Sequence, residues 1–461
     1  VKQASTVVGS PSRVRSAGGA GLEVLRHVGG LIAGRALIAN LGAGIPRAAR
    51  DLARACLALP LAALLTTAAA QSAEPGAHIP LRYTITLVTS DTSGHLLGEV
   101  ETGWRLRTVE PVAMRLDSAF RVVRVLVDGK PNTRISRTMY ARQGGEVIVP
   151  HEKAPGDTLT TRVRYHGIPR GGFRVGPDRT GARGLAAETA GDRAPLWLPV
   201  PAGEPGRVTV TWNVQASEGQ RAIATGVLTG VDTLSYGHTT WHFRLDRPVP
   251  LGALAVAAGR YAVTTLPHST CGEACVPVTL WTPPDDSAAA AAGAFRRAGA
   301  MVDFMSRRLG PFPYPSLAHV ASPLVPAGRP GAMVVLYDGT RVHAGEVTET
   351  DVARATAAQW LGNAVSDSAT GGPSDAAASY LALLWTRQDR PGPTGATLTR
   401  GVDAVSRLHR LVGDSVFFRG LRRYVEANRD AAAPPGALER AMAEAAGKAV
   451  DWSWRPAVGA R

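Results

Sequence analysis

The stretch that decides how this chain is read is DVARATAAQWLGNAV, Asp351–Val365. Its pattern is that of an amphipathic helix. Thr348 can serve as N-cap, and Asp351 stands three residues on, the spacing of a capping box in which each side chain accepts from the other's backbone N–H. Val352, Ala355, Thr356 and Gln359 fall near one helical stripe, and Trp360 and Leu361 widen the apolar side. A helix with such a face is stable only when that face is buried, so this stretch is expected to sit inside a folded core.

Composition agrees with a folded chain. The 461 residues suffice for roughly two or three domains with full cores. Hydrophobic residues make up 45% and charged residues 19%, which points to the globular class and away from a disordered one. The formal net charge is +14, yet Lys occurs only at Lys2, Lys130, Lys153 and Lys448. An excess of Arg with no dense basic run and no interleaved aromatics argues against a nucleic-acid surface.

The first 70 residues read as a leader. Arg47, Arg50 and Arg54 form a basic n-region, and CLALPLAALL, Cys56–Leu65, is an apolar h-region too short to span a bilayer. Ala68-Ala69-Ala70 then offers an A-x-A cleavage site before Gln71. Residues 1–70 are therefore expected to be removed near Ala70/Gln71. The mature protein is expected to be exported, to a periplasm or the extracellular space, without a stable membrane span. Cys56 precedes the apolar run and is not placed as a lipoprotein cysteine. No Met precedes Met114, so translation is expected to start at a non-Met codon within the leader. Export leaves Cys271 and Cys275, in TCGEACV, with no other Cys and no suitably spaced His nearby. In an oxidising compartment this pair reads as a small disulfide loop rather than a metal pair.

From His78 to about Leu266 the pattern is β. YTITLV, EVETGWRL, FRVVRVLVDG, GEVIVP, LTTRVRYHG, RVTVTWNV and TTWHFRL are short runs rich in Val, Thr and aromatics, punctuated by Gly, Pro and Asp. Asp128-Gly129 and Gly144-Gly145 are turn signals. The segment from Gly167 to Pro195, rich in Gly and Arg, reads as a long loop. After Cys275 come a strand, VPVTLWTPP, and a helix from about Ser287 to Leu309. PGAMVVLYDG, the opening stretch, and a second helix, SDAAASYLALLWTR, follow. From Leu398 onward the pattern is helical.

QWLGN, Gln359–Asn363, resembles the aminopeptidase N (membrane alanyl aminopeptidase) family of zinc metallopeptidases, of the gluzincin type. There a helix reads H-E-x-x-H-Q-W-F-G-N, the two His bind zinc and the Glu is the general base. YHGIP at Tyr165–Pro169, LWLPVPAGEPGRVTVTW from Leu196, LAVAAGRY at Leu254–Tyr261 and GPFPYP at Gly310–Pro315 are similar to further family stretches, in the family's order. The resemblance implies an α+β, multidomain fold. An N-terminal antiparallel β saddle or sandwich at 76–267 would precede a thermolysin-like, mostly helical metallopeptidase-like domain at 268–461, without the large C-terminal helical domain of longer members.

The same resemblance implies a degenerate site. Aligning QWLGN puts Arg354 and Ala358 at the zinc-binding His positions and Ala355 at the general base. The third ligand, a Glu in the family, falls at Ala377 without a gap, or at Asp375 with a two-residue deletion. Gly331, Ala332 and Met333 match the family's G-x-M cleft strand, where backbone groups can hold an extended peptide. Val334 stands where a Glu should hold the substrate amine. Leu398 stands where a Tyr should stabilise the tetrahedral intermediate. Zinc needs three protein ligands and an open position, so no cofactor is expected. Arg354 is expected to occupy the metal's place and to point toward Asp375.

The remaining candidates are weaker. His238 and His242 are four residues apart, but TTWHFRL reads as strand, where that spacing spans about 13 Å and cannot chelate one ion. The other His are scattered along the sequence without near partners. Asp403, Arg407 and Arg410 read as a solvated helix face. No G-x-S-x-G elbow, Walker loop or dinucleotide fingerprint is present. The expectation is an exported, inactive peptidase homologue binding a peptide or an envelope protein. The alternatives are a divergent active hydrolase, with Asp375 as its one acid, and a structural envelope protein. Mass spectrometry of exported, non-reduced protein is expected to find an N-terminus at or near Gln71 and a Cys271–Cys275 bridge. A chain retaining residues 1–50, or two free thiols, refutes the respective reading.

Overall fold

A computed structural model describes residues 78–89, 93–130, 141–143, 145–178, 181–234, 237–267, 276–322, 330–367, 372–388 and 399–454. Residues 1–70, expected to form a leader, and Cys271, Cys275 and Leu398 lie outside these residues. All the described residues belong to one compact unit, Glu74–Arg461.

Alternating apolar residues build its first sheet. In His78–Thr89 the side chains of Tyr83, Ile85 and Leu87 are buried while those between them face outward. Arg207–Ala216 repeats the pattern with Val208, Val210, Trp212 and Val214. The seven-stranded sheet runs Val227–Thr233, Thr239–Pro250, Arg207–Ala216, His78–Thr89, Leu96–Leu106, Thr158–Gly167, Phe120–Val127. Every neighbouring pair is antiparallel except one. His78–Thr89 and Arg207–Ala216 run parallel, with Ile85 opposite Trp212. The sheet is thus mixed, not purely antiparallel as expected. The long stretch of chain between these two strands supplies the crossover that a parallel pair needs.

The expected loop from Gly167 to Pro195 contains structure. Phe173–Pro177 and Arg183–Glu188 are strands of a small sheet in which Arg183–Glu188 also pairs with Ala255–Gly259. Their buried side chains include Ala186 and Ala187, too small to give an apolar signal in the sequence. A Cβ at Gly184 would stand 2.8 Å from the Ala258 carbonyl oxygen, so the glycine allows this close pairing.

A second sheet joins Ala262–Thr265, Val278–Thr282, Leu317–Ser322 and Val334–Asp338, the last three in parallel. Around it lie the helices Ser287–Ala292, Ala298–Leu309, Gly339–His343, Glu349–Ala357, Pro373–Arg387, Arg400–Ala427 and Ala437–Ala446. Glycines interrupt the helical pattern where periodicity alone ran on. Gly293 separates the first two helices, Gly413 at φ 76° breaks Arg400–Ala427, and left-handed Gly436 and Gly447 flank the last. One hydrophobic cluster fills the β half, from Tyr83 to Ala258. The other runs from Leu266 to Met442. Ala332, Met333 and Val334 belong to the first cluster and Val335 to the second.

Buried aromatic residues lock the β half. Tyr165, in YHGIP, donates its hydroxyl proton to the Trp197 carbonyl oxygen at 2.8 Å, and the Trp197 indole N–H donates to the Glu188 carbonyl at 3.0 Å. Both rings are fully buried. Tyr165→Phe leaves the Trp197 carbonyl without this partner and is expected to lower unfolding free energy by about 1–3 kcal/mol in urea titration. No measurable change would mean that the bond contributes nothing.

Candidate functional site

The Glu349–Ala357 helix begins as its sequence predicts. The Asp351 N–H donates to Thr348 Oγ1 at 3.2 Å, and the Thr348 N–H donates to Asp351 Oδ2 at 3.0 Å. The helix is shorter than the expected Asp351–Val365. It ends at Ala357, with Ala358 as C-cap at φ −63°, ψ −16°. Beyond it the N–H groups of Asn363, Ala364 and Val365 reach back five residues, to Ala358, Gln359 and Trp360. Gly362 makes this wide turn possible at φ 134°, a conformation other residues avoid.

Arg354 and Asp375 face each other across two helices, with Nη1 and Oδ1 3.9 Å apart. Asp375 reaches this place from the first turn of Pro373–Arg387, a helix that starts with Pro at N1. Ala377, the ungapped alternative, is buried, as are Ala355 and Ala358. The positions equated with the first and third zinc ligands therefore come together through Asp375. The pair is not buried, because the side chains are 38% and 41% exposed. Solvent screening leaves such a pair about 0–1 kcal/mol.

The sequence reading missed Tyr337 and His319. They lie diagonally on adjacent parallel strands, His319 opposite Val335 and Tyr337 opposite Ala321, with Tyr337 Oη 2.9 Å from His319 Nδ1. Burial pushes the His319 pKa down to about 3. Burial also pushes the Tyr337 hydroxyl up, with Asp351 adding to the shift and Arg354 opposing it. His343 likewise meets Asp286 at 2.8 Å, and His409 meets Tyr380 at 2.9 Å. These histidines looked unpartnered because their partners are distant in sequence. His242 lies on a strand beside Asn213 and Asp232, and Arg407 pairs with Asp403 on an exposed helix face.

The QWLGN residues are held by the chain itself. Gln359 is fully buried. Its Oε1 accepts from the Met333 N–H at 2.9 Å, and its Nε2 donates to the Gly331 and Ala355 carbonyls at 3.0 and 3.3 Å. The Trp360 indole N–H donates to the Gly310 and Pro311 carbonyls, and its ring meets Phe312 edge to face. Asn363 donates to the Pro330 carbonyl at 3.2 Å. Gly331, Ala332, Met333 and Val334 are all buried. The Ala332 N–H donates to Ala253, and the Met333 carbonyl accepts from Ala318. Most of the backbone groups expected to hold an extended peptide are thus engaged within the chain. Met333 sits at φ 64°, a conformation that costs a non-glycine residue about 1–3 kcal/mol.

No protein-family model matches the chain, and no curated protein matches it in sequence. Solved structures do match. The M1 zinc metallopeptidase of Deinococcus radiodurans superposes with TM-score 0.64 at 21% identity, over 81% of this chain and 92% of the other. A Glu-to-Ala mutant of it gives TM-score 0.65 at 21% identity, over 83% and 96%. A two-domain M1 zinc metallopeptidase mutant bound to L-tryptophan gives 0.66 at 21%, over 81% and 94%. The chain has the fold of the M1 zinc metallopeptidases. Zinc takes thiolate, imidazole or carboxylate ligands, and the positions that the resemblance equates with its ligands hold a guanidinium at Arg354, a methyl group at Ala358 and a carboxylate at Asp375, a set that does not fit it. Among the described residues, no group of three or more His, Cys, Asp and Glu converges anywhere.

Gln359 and Arg354 should differ in their effect on stability. Gln359→Leu orphans the Met333 N–H and the Gly331 carbonyl, each worth about 1–3 kcal/mol. Arg354→Ala should cost less than about 1 kcal/mol. Denaturant titration of the two variants checks this, and the reverse order would contradict it.

Proposed function

We propose that this protein is an exported, catalytically inactive variant of the M1 fold that binds a peptide or protein partner. The observation that carries the reading is the Arg354–Asp375 pair, 3.9 Å apart, where the resemblance puts the first and third zinc ligands. Arg is a permanent cation and repels a metal ion. Ala358 has no donor atom, and Ala355 has no carboxylate to take a proton from water. Val334 cannot bind a free amine, and Leu398 cannot donate to an oxyanion. These defects fall on one reaction, so restoring any single position restores nothing.

Peptide as the ligand class is supported by the fold's use elsewhere. A Deinococcus radiodurans M1 mutant has been solved with a Tyr-Ser-Ala substrate, and other two-domain M1 mutants with L-tryptophan and L-arginine. In this chain Arg354 and Asp375 are half exposed and of opposite charge, so they can meet the carboxylate and the amine of such a ligand. An exported location rests on the leader, and a Cys271–Cys275 bridge rests on that location. No helix among the described residues is long and apolar enough to cross a membrane.

The test is metal analysis and an aminoacyl-substrate assay on the wild type and on Arg354→His/Ala355→Glu/Ala358→His. The helical conformation of Ala358 keeps positions 354 and 358 on one face. The wild type is expected to hold no stoichiometric zinc and to hydrolyse nothing, while the triple variant takes up zinc. One zinc per wild-type chain, with hydrolysis abolished by a chelator, overturns the reading.

A further inference from the structure

The outer face of the seven-stranded sheet carries its charge unevenly. Toward one edge the charges are paired, Arg244 with Asp246 at 2.7 Å and His242 with Asp232 at 3.0 Å. In the middle Arg162 takes both nearby carboxylates, Glu101 at 2.5 Å and Glu99 at 3.9 Å. Toward the other edge, on Thr158–Gly167 and the last strand Phe120–Val127, stand Arg121, Arg124 and Arg164, all exposed. Among the described residues, no side-chain hydrogen bond or ion pair engages these three.

Strand register gathers them. Arg124 lies opposite Arg164, and Arg121 opposite His166. Val122, Val125, Val163 and Tyr165, which alternate with them, are buried, so the charged side chains share the face turned away from the core. Arg121 and Arg124 are three residues apart and would point to opposite faces of a regular strand. The extra residue at Val123, where the register shifts, returns both to one face. Like charges directly opposite each other destabilise a sheet. Glu99, opposite Arg164 on its other side, turns to Arg162 and leaves that repulsion in place. Two apolar side chains border the patch, Val123 at 55% and Ile168 at 57% exposure. A Cβ at Gly94 would stand 3.9 Å from Ile168, and the next residue, His95, stacks on His166.

We infer that this face docks on an anionic phospholipid surface. Guanidinium groups match phosphate oxygens two at a time and stay charged at any physiological pH. Headgroup phosphates between Arg124 and Arg164 remove their repulsion. Val123 and Ile168 reach the hydrocarbon just beneath the headgroups, a use that a purely acidic polypeptide does not give them. The contact is peripheral and needs no spanning segment. It goes beyond the function proposed above and does not depend on it, since none of these residues belongs to the Arg354 pair or to the Gly331–Val334 strand.

The full-length chain is sedimented with vesicles of phosphatidylglycerol mixed into phosphatidylcholine, with pure phosphatidylcholine vesicles as the baseline. Binding above that baseline is expected, and it should fall as salt is raised. Arg121→Gln/Arg124→Gln/Arg164→Gln should weaken it by about tenfold to a hundredfold. Val123→Ser/Ile168→Ser should weaken it several-fold. Arg221→Gln/Arg260→Gln/Arg400→Gln, which removes the same charge from exposed positions elsewhere, should leave it unchanged. Thermal melts confirm that each variant is folded. No binding above the baseline overturns the inference. Equal weakening by the two arginine triples also overturns it, since that reveals only diffuse attraction to a chain of net charge +14. Capture of a polyglutamate peptide by the patch without vesicle binding overturns it in favour of an acidic polypeptide.

Discussion

The side-chain amide of Gln359 is the contact on which the second half of the molecule depends. It is a polar group at 0% exposure, and such a group is tolerated only when its hydrogen bonds are made. Here they are made to two peptide groups of Gly331–Met333 and to its own helix. The contact therefore ties the Glu349–Ala357 segment to the start of the Val334–Asp338 strand. It also holds Met333 in its left-handed conformation. Gly331 makes the approach possible, since a Cβ there would stand 2.6 Å from the Val334 carbonyl oxygen and 2.8 Å from Ala255 Cβ. Through that strand the helix is registered against the parallel sheet and against the β half.

This explains what holds the QWLGN residues in place. Gln359, Trp360, Gly362 and Asn363 each satisfy a need internal to the fold: a strand clamp, a cap on two carbonyls, a positive φ and a loop tie. Those needs exist whether or not a metal is bound. The residues at 354, 355 and 358 face no such requirement. Two of them are small and buried, and the third forms a solvent-screened pair that adds little to stability.

Charge is distributed in the same spirit. Most arginine–carboxylate pairs here are at least partly exposed, as in Arg162–Glu101 and Arg407–Asp403, and are worth little individually. Two arginines depart from this. Arg207 is half-buried, donates to the Asn363 and Ala364 carbonyls at 2.8 and 3.2 Å, and so ties the β half to the wide turn after the helix. Arg297 is pressed onto Trp385. In both cases the guanidinium plane and its several donors are used for geometry, which Lys does not provide.

The sequence alone determined the strands with strict alternation, the capping box at Thr348 and Asp351, and which residues stand at 354, 355 and 358. All of these are local, set by periodicity of two or four residues and by single side chains. It overextended helices across Gly293 and Gly413 and through Gly362, because apolar periodicity continues where the backbone turns. It missed the small strands before Pro195, where Phe173 and Leu185 are buried beside Ala186 and Ala187 in a stretch whose Gly and Arg content reads as loop. It also missed the parallel pairing of His78–Thr89 with Arg207–Ala216. Only the tertiary structure decided that Asp375 and not Ala377 meets Arg354, that His319 meets Tyr337, and that Arg121 and Arg124 share one face with Arg164. Each of these joins residues on different secondary-structure elements, or at opposite ends of one. Such proximity comes from packing across the whole core, which no local pattern encodes.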